Sequence, residues 1–186
     1  PAYSARVMSP AHVRSVMDTA CRTALSFHAV AHITMPVDLQ SSEVQKKDAS
    51  KRNVPGHSQA IYAARRTVPA PEELQAAASV LNAGEKVVLL AGRGAIGACD
   101  ELEQIAEMLD AVIAKPLLGK QAVPDESPYT TGPVGLLGSR PSQEALETCD
   151  TLFIVGSSFP YIEYYPAPGK ARAVQIDRDP TRIGLR

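Results

Sequence analysis

The sequence contains no tryptophan, and aromatic residues make up only 5% of its 186 positions. A core built on large rings is therefore excluded, and any local cluster of aromatics needs an explanation. Cys21, Cys99 and Cys149 stand far apart with no CxxC pair, so neither a disulfide framework nor a zinc knuckle is encoded, and a reducing cytoplasm is the compartment that fits. Charge of one sign is also lacking: 19 Lys and Arg against 20 Asp and Glu give a formal net charge of −1. That balance leaves no electrostatic footprint for nucleic acid or an anionic membrane. No apolar run approaches the roughly 18 residues of a membrane span, and the N-terminus has no charged-then-apolar signal pattern. His12, His28, His32 and His57 show no metal-ligand spacing, and no Ser/His/Asp or Cys/His arrangement offers an independent chemistry.

What is present is 45% hydrophobic residue content, enough for one core of ordinary domain size with flanking material. Residues 10–27 set Val13, Val16, Met17, Ala20 and Ala24 at helical spacing, with Ser9 as a candidate N-cap and Pro10 at the first helical position. Residues 29–35 read as a strand stopped by Pro36. One helix and one strand cannot enclose a core, so residues 1–40 are expected to be the tail of an upstream domain. Residues 41–70 lose periodicity and carry Lys46, Lys47, Lys51, Arg52, Arg65 and Arg66, the signature of a solvated linker, although an anionic partner is the alternative.

From residue 71 onward helices and strands alternate. PEELQAAASVLNAG places Leu74, Ala77, Ala78 and Leu81 on one face, begins with proline and acids, and stops at Gly84. KVVLLA (86–91) is apolar throughout, as a strand covered on both faces should be. A helix with Leu102, Ile105, Ala106 and Leu109 follows, then a strand over 111–114, a long turn-rich loop, a helix near 141–148, and strands over 151–156 and 171–177. The expected fold is α/β, a Rossmann-like doubly wound parallel sheet with its ligand crevice at the strand carboxyl ends. About four strands are visible, fewer than a complete sheet of this kind holds. With Pro1 instead of Met at the start and Arg186 in mid-pattern, a piece of a longer chain is expected.

Between the first of these strands and its helix stands Gly92-x-Gly94-x-x-Gly97, the context in which a diphosphate can sit on a helix N-terminus. NAD would require an acid at the end of the next strand, where Ala114-Lys115-Pro116 stands instead; Asp110 precedes that strand and Asp125 lies deep in the following loop. The alternative for the glycines is a tight, closely packed turn with no ligand. A carboxylate does close a later strand at Asp177, while Asp179 before Pro180 reads as a turn-former or cap. Two loops complete the set. In TGPVGLLGSRPS (131–142), Gly132, Gly135 and Gly138 let backbone approach a flat ligand and Arg140 can meet phosphate; GSSFPYIEYY (156–165) gathers Phe159, Tyr161, Tyr164 and Tyr165, or is simply an aromatic surface loop.

These three loops, in this order, resemble the central domain of thiamine-diphosphate-dependent enzymes, over residues 71–186, and HITMPVDLQ resembles the exit of the preceding pyrimidine-binding domain. Within that group, LFIVGSSFPYIEYYP followed by AVQIDRDPTRIG is most similar to pyruvate oxidase and quinone-linked pyruvate dehydrogenase. The resemblance implies FAD in this domain. Its contacts would be Val134, Gly135, Leu136 and Leu137, then Ser157, Ser158, Phe159, Pro160 and Tyr161, with Asp177 at the adenosine end and Gly92, Arg93 and Gly94 near the diphosphate. It also implies a homo-oligomeric parent that oxidatively decarboxylates a 2-oxo acid such as pyruvate. The parent would carry thiamine diphosphate and Mg2+ on other domains, because the family's catalytic glutamate and GDG…N signature are absent from these residues. On that basis the chain alone is expected to be non-catalytic. Two alternatives stay open: a structural or regulatory central domain with an empty crevice or ADP, and an NAD-dependent enzyme such as a deacylase.

Overall fold

The computed structural model describes residues 1–43, 63 and 67–184. They divide into two compact units, Pro1–Thr67 and Val68–Arg186. The linker expected over residues 41–70 lies mostly outside the described residues, as do its basic side chains and His57.

In the first unit, β1 (Tyr3–Arg6), α1 (Val13–Phe27) and β2 (Ala31–Thr34) form a strand–helix–strand unit, and the two strands pair in parallel with Tyr3 opposite Ala31. Both strands alternate in burial: Tyr3, Ala5, Ala31 and Ile33 are half-buried, whereas Ser4, Arg6, His32 and Thr34 are exposed. Two strands therefore stand where sequence patterning predicts one, because a four-residue YSAR segment is too short to register as a period. Ser9 stands at the N-cap position of a 3-10 turn ahead of α1, with Pro10 after it. Its side chain makes no capping bond; its carbonyl instead accepts from His12 N–H, closing a single 3-10 turn over Pro10–His12 that leads into α1. A short helix, α2 (Val37–Gln40), follows Pro36.

The second unit starts with α3 (Pro71–Asn82), whose entry is fixed by Pro71 and by Glu73, the side chain of which accepts from Ala70 N–H at 2.8 Å. Gly84 does not end the helix through a left-handed backbone. It is glycine because a Cβ there would strike Thr151 and Val87 at 2.6–2.8 Å. The chain continues through β3 (Val87–Ala91), α4 (Cys99–Met108), β4 (Val112–Pro116), β5 (Thr130–Val134), α5 (Arg140–Thr148), β6 (Thr151–Val155) and β7 (Arg172–Ile176).

The five strands of this unit are all parallel in the order β5-β4-β3-β6-β7. This is a Rossmann-like α/β sheet, and it has one strand more than the sequence pattern revealed. The extra strand, β5, has the sequence TTGPV and hides inside the turn-rich loop; proline and glycine are tolerated because β5 pairs on one side only. Successive residues of β3 serve opposite faces. Val87, Leu89 and Ala91 join Leu102 and Ala106 of α4, with Ala77 and Leu81 of α3, while Val88 and Leu90 join Leu146 of α5. With both faces covered, all five residues of β3 are buried. Strand order reverses direction from β3, so the switch point falls between β3 and β6, at Gly92 and Gly156.

Candidate functional site

The expected contact residues lie at the carboxyl ends of four of the five parallel strands: 92–94 after β3, 134–137 at the end of β5, 157–161 after β6 and Asp177 after β7. Loops from β5 and β6 meet directly. Gly135 has φ +110, and a Cβ there would stand 3.3 Å from the Phe159 ring. Phe159 is buried with Val134, Ala114 and Leu90 on the α5 face, packs edge-on against Tyr161 at 5.3 Å, and accepts at its carbonyl a hydrogen bond from Tyr165 Oη at 3.1 Å. Ser157 is buried as well, and its Oγ accepts from Phe159 N–H.

Gly92 and Gly94 are met by backbone. A Cβ on Gly92 would overlap the Gly156 carbonyl and Ser157, and one on Gly94 would sit 2.8 Å from Gly156 Cα; Gly94 N–H donates to Gly156 O at 2.9 Å. On the other side, a Cβ on Gly119 would overlap the Ala91 carbonyl and crowd Gly92 Cα. The glycine turn is thus held between the segment after β4 and the segment after β6. Phe159 fills the crevice flank on the α5 side, and Ala122 and Val123 are buried on the α4 side. The remaining surface is a shelf. Leu136 and Leu137 are 75% and 81% exposed, and Leu117 and Leu118, in the 3-10 turn that follows β4, are 70% and 67% exposed. Arg93, Ser158, Pro160 and Tyr161 are exposed along the same edge.

Asp177 is half-buried, and its Oδ1 accepts from Asp179 N–H at 2.9 Å. Asp179 caps the 3-10 turn Pro180–Arg182 by accepting from Thr181 N–H, as its position before proline implied. Arg140 is exposed and pairs with Glu144 one helical turn on.

Two features at the end of β4 went unread in the sequence. Leu117 and Leu118 resemble ordinary loop residues in the sequence; they follow directly on Pro116, which pairs with Val134 at the end of β5. Lys115 is 1% exposed, and its Nζ donates to Val123 O at 2.9 Å and to Asp125 Oδ1 at 2.7 Å. Where NAD binding would need an acid, the strand tip carries a buried cation whose partner is Asp125 of the following loop. The signal was a lysine within an apolar strand. Asp125 also binds Lys120 at 2.7 Å; hydrogen bonds from Lys115 first and Lys120 second hold its carboxyl down at about 2. Burial first, then the neighbouring acids Glu103, Asp100 and Glu101, push the Cys99 thiol at the start of α4 above its ordinary value.

Residues 74–186 match the model of the thiamine pyrophosphate enzyme central domain. The chain is 33% identical over 184 residues to a putative thiamine pyrophosphate-containing protein, YdaP, of Bacillus subtilis, covering 99% of this chain and 30% of that protein. It is 33% identical over 160 residues to a probable acetolactate synthase large subunit of Methanocaldococcus jannaschii (82% and 26%), and 29% identical over 188 residues to pyruvate oxidase of Lactiplantibacillus plantarum (99% and 30%). Among solved structures, the thiamine diphosphate-dependent 4-hydroxybenzoylformate decarboxylase of Rhodococcus jostii superposes with a TM-score of 0.70 at 20% identity, over 97% of this chain and 34% of that one. The chain therefore spans 26–30% of the length of these three curated relatives. It belongs to the thiamine pyrophosphate enzyme family, of which residues 74–186 are the central domain.

Proposed function

We propose that this domain binds FAD across the strand carboxyl ends, within a parent that oxidatively decarboxylates a 2-oxo acid, pyruvate in the first instance. One observation carries this reading. Four leucines, each at least two-thirds exposed, stand on two neighbouring strand ends of a family domain, and apolar area of that kind asks for cover. A planar ring system would lie on Leu117, Leu118, Leu136 and Leu137, with Tyr161 beside it. Arg93 offers a planar donor fork for a diphosphate, and Asp177 is an acceptor for ribose or adenine hydroxyl and amino groups. Gly97, whose φ is +95 with open space around it, leaves room for close approach at the entry to α4.

Bound flavin would supply two-electron acceptance. The chain's own residues would orient it, keep water from its apolar face and hold its phosphates. Thiamine diphosphate, Mg2+, the catalytic glutamate, and partner subunits of a homo-oligomer belong in this proposal to the rest of a cytoplasmic parent.

A second reading has its own observation. Gly92 and Gly94 are fully accounted for by backbone packing against Gly156, and relatives in the family include a probable acetolactate synthase and sulfoacetaldehyde acetyltransferases as well as a pyruvate oxidase. A structural or regulatory central domain with an empty or ADP-filled shelf follows from those facts. Titrating the purified chain with FAD and with ADP, and following flavin fluorescence and melting temperature, separates the two. Quenched flavin fluorescence with a raised melting temperature supports the first; stabilisation by ADP alone, or by neither, removes it.

A further inference from the structure

Residues 117–125 leave β4 and turn back over the end of β3 instead of entering a crossover helix. Gly119 presses on Ala91 and Gly92, and Ala122 and Val123, at 0% and 1% exposure, pack with Ala95 and Leu102. The outer part of this strap is less tightly seated. A concavity of about 360 Å³ is lined by Cys99, at the start of α4, and by residues 120–125. Polar bonds span that region: Lys115 Nζ to Val123 O, Lys115 Nζ to Asp125 Oδ1, and Lys120 Nζ to Asp125 Oδ2. One carboxylate joins an ammonium rising from within β4 to another on the strap.

We propose that Lys115 and Asp125 form a latch that holds residues 117–125 against the end of β3 and thereby sets the position of the glycine turn. The link is steric and contiguous. Asp125 fixes Lys115 and the strap, Gly119 bears on Gly92, and Gly92 and Gly94 bear on Gly156 and Ser157. Burying an ammonium is costly, and an apolar side chain would pack in β4 at least as stably. The charge has a role if it gives the strap one defined position. Lys115 and Asp125 are then positioning residues for whichever nucleotide the shelf accepts. Only their consequence for FAD rests on the flavin reading.

Amide hydrogen exchange on the whole chain tests the latch without a ligand. Asp125→Asn, at an exposed position, and Lys115→Met are each expected to speed exchange across residues 117–125 by at least about tenfold, since each ends the Lys115–Asp125 charge pairing and alters one further bond, from Lys120 or to Val123 O. The double variant should be no faster than the faster single, and Asp125→Glu should restore slow exchange. The Gly94 amide, bonded to Gly156 O, should accelerate together with the strap. Unchanged strap exchange in both single variants overturns the latch, and a loosened strap with an unchanged Gly94 amide overturns its link to the turn. Where wild type binds FAD, affinity should fall in the same variants and recover in Asp125→Glu. Wild type that binds no FAD ends the flavin reading alone, since exchange still decides the latch.

Discussion

A lysine with 1% exposure and an aspartate with 58% exposure contribute unequally to the same ion pair. Neutralising Asp125 leaves a buried ammonium with neutral acceptors such as Val123 O and no counter-charge, whereas removing Lys115 returns a mostly solvated carboxylate to water and to Lys120. Asp125→Asn should therefore lower the melting temperature by several degrees, while Lys115→Met should leave it equal or higher even as the strap loosens locally, because local opening and global unfolding are separate equilibria. The pH dependence has a definite sign. The Asp125 carboxyl is lowered from 3.8 to about 2, so its contribution is fully present above 3.8 and is lost as pH falls toward 2. In thermal melts, the gap between wild type and Asp125→Asn should stay constant down to about pH 4 and close by about pH 2. A gap persisting at pH 2 would assign the effect to shape instead of charge. Glycines separate in the same way. Gly92→Ala forces a Cβ into Gly156 and should cost about 1–3 kcal/mol by overpacking, whereas Gly97→Ala meets open space and carries only the strain of its positive φ.

Elements with a strong period were legible in the sequence. α1, α3 and α4 fall where apolar spacing placed them, α5 falls at the helix expected near 141–148, and β3 and β6 fall where continuous apolar runs did. β5 was not legible, because Gly132 and Pro133 interrupt its strand-favouring Thr and Val and the segment is made a strand by its neighbours. A buried hydroxyl network fastens it. Ser142, 0% exposed on α5, donates to Gly132 O at 3.0 Å and shares a hydrogen bond with Thr131 Oγ1 at 2.8 Å; Ser139 Oγ donates to Thr131 O and caps α5 through Ser142 N–H. Pro133 has no N–H to donate, so side chains supply part of what the ladder lacks. Ser142→Ala should cost about 1–3 kcal/mol in denaturant unfolding, the penalty of leaving buried partners unsatisfied. A smaller loss would show that water takes the place of the hydroxyl. The Lys115–Asp125 pair was hidden for a related reason: only the return of the strap, a tertiary event, brings residue 125 to the tip of β4.

Across the whole molecule, the fold was readable from alternation of elements, but the shape of the site was not, since that depends on how loops fill the crevice from either side. Phe159 and the strap leave a shelf, and on a shelf the end groups of an extended ligand must supply much of its selectivity. Asp177 is the candidate at one end, yet its carboxylate already accepts Asp179 N–H, so truncation to alanine would disturb the turn along with any ligand. Asp177→Asn keeps an acceptor for that N–H while replacing the second oxygen with a donor. If Asp177 holds ribose or adenine, the asparagine variant should keep the wild-type melting temperature without ligand and weaken FAD by about 1–3 kcal/mol, measured by fluorescence titration. Equal affinity in the two proteins would limit Asp177 to its turn, and recognition would then depend on Arg93 and the leucine surface. Leu137→Ser should weaken binding in either case, because the apolar cover it offers is independent of which group reads the adenosine end.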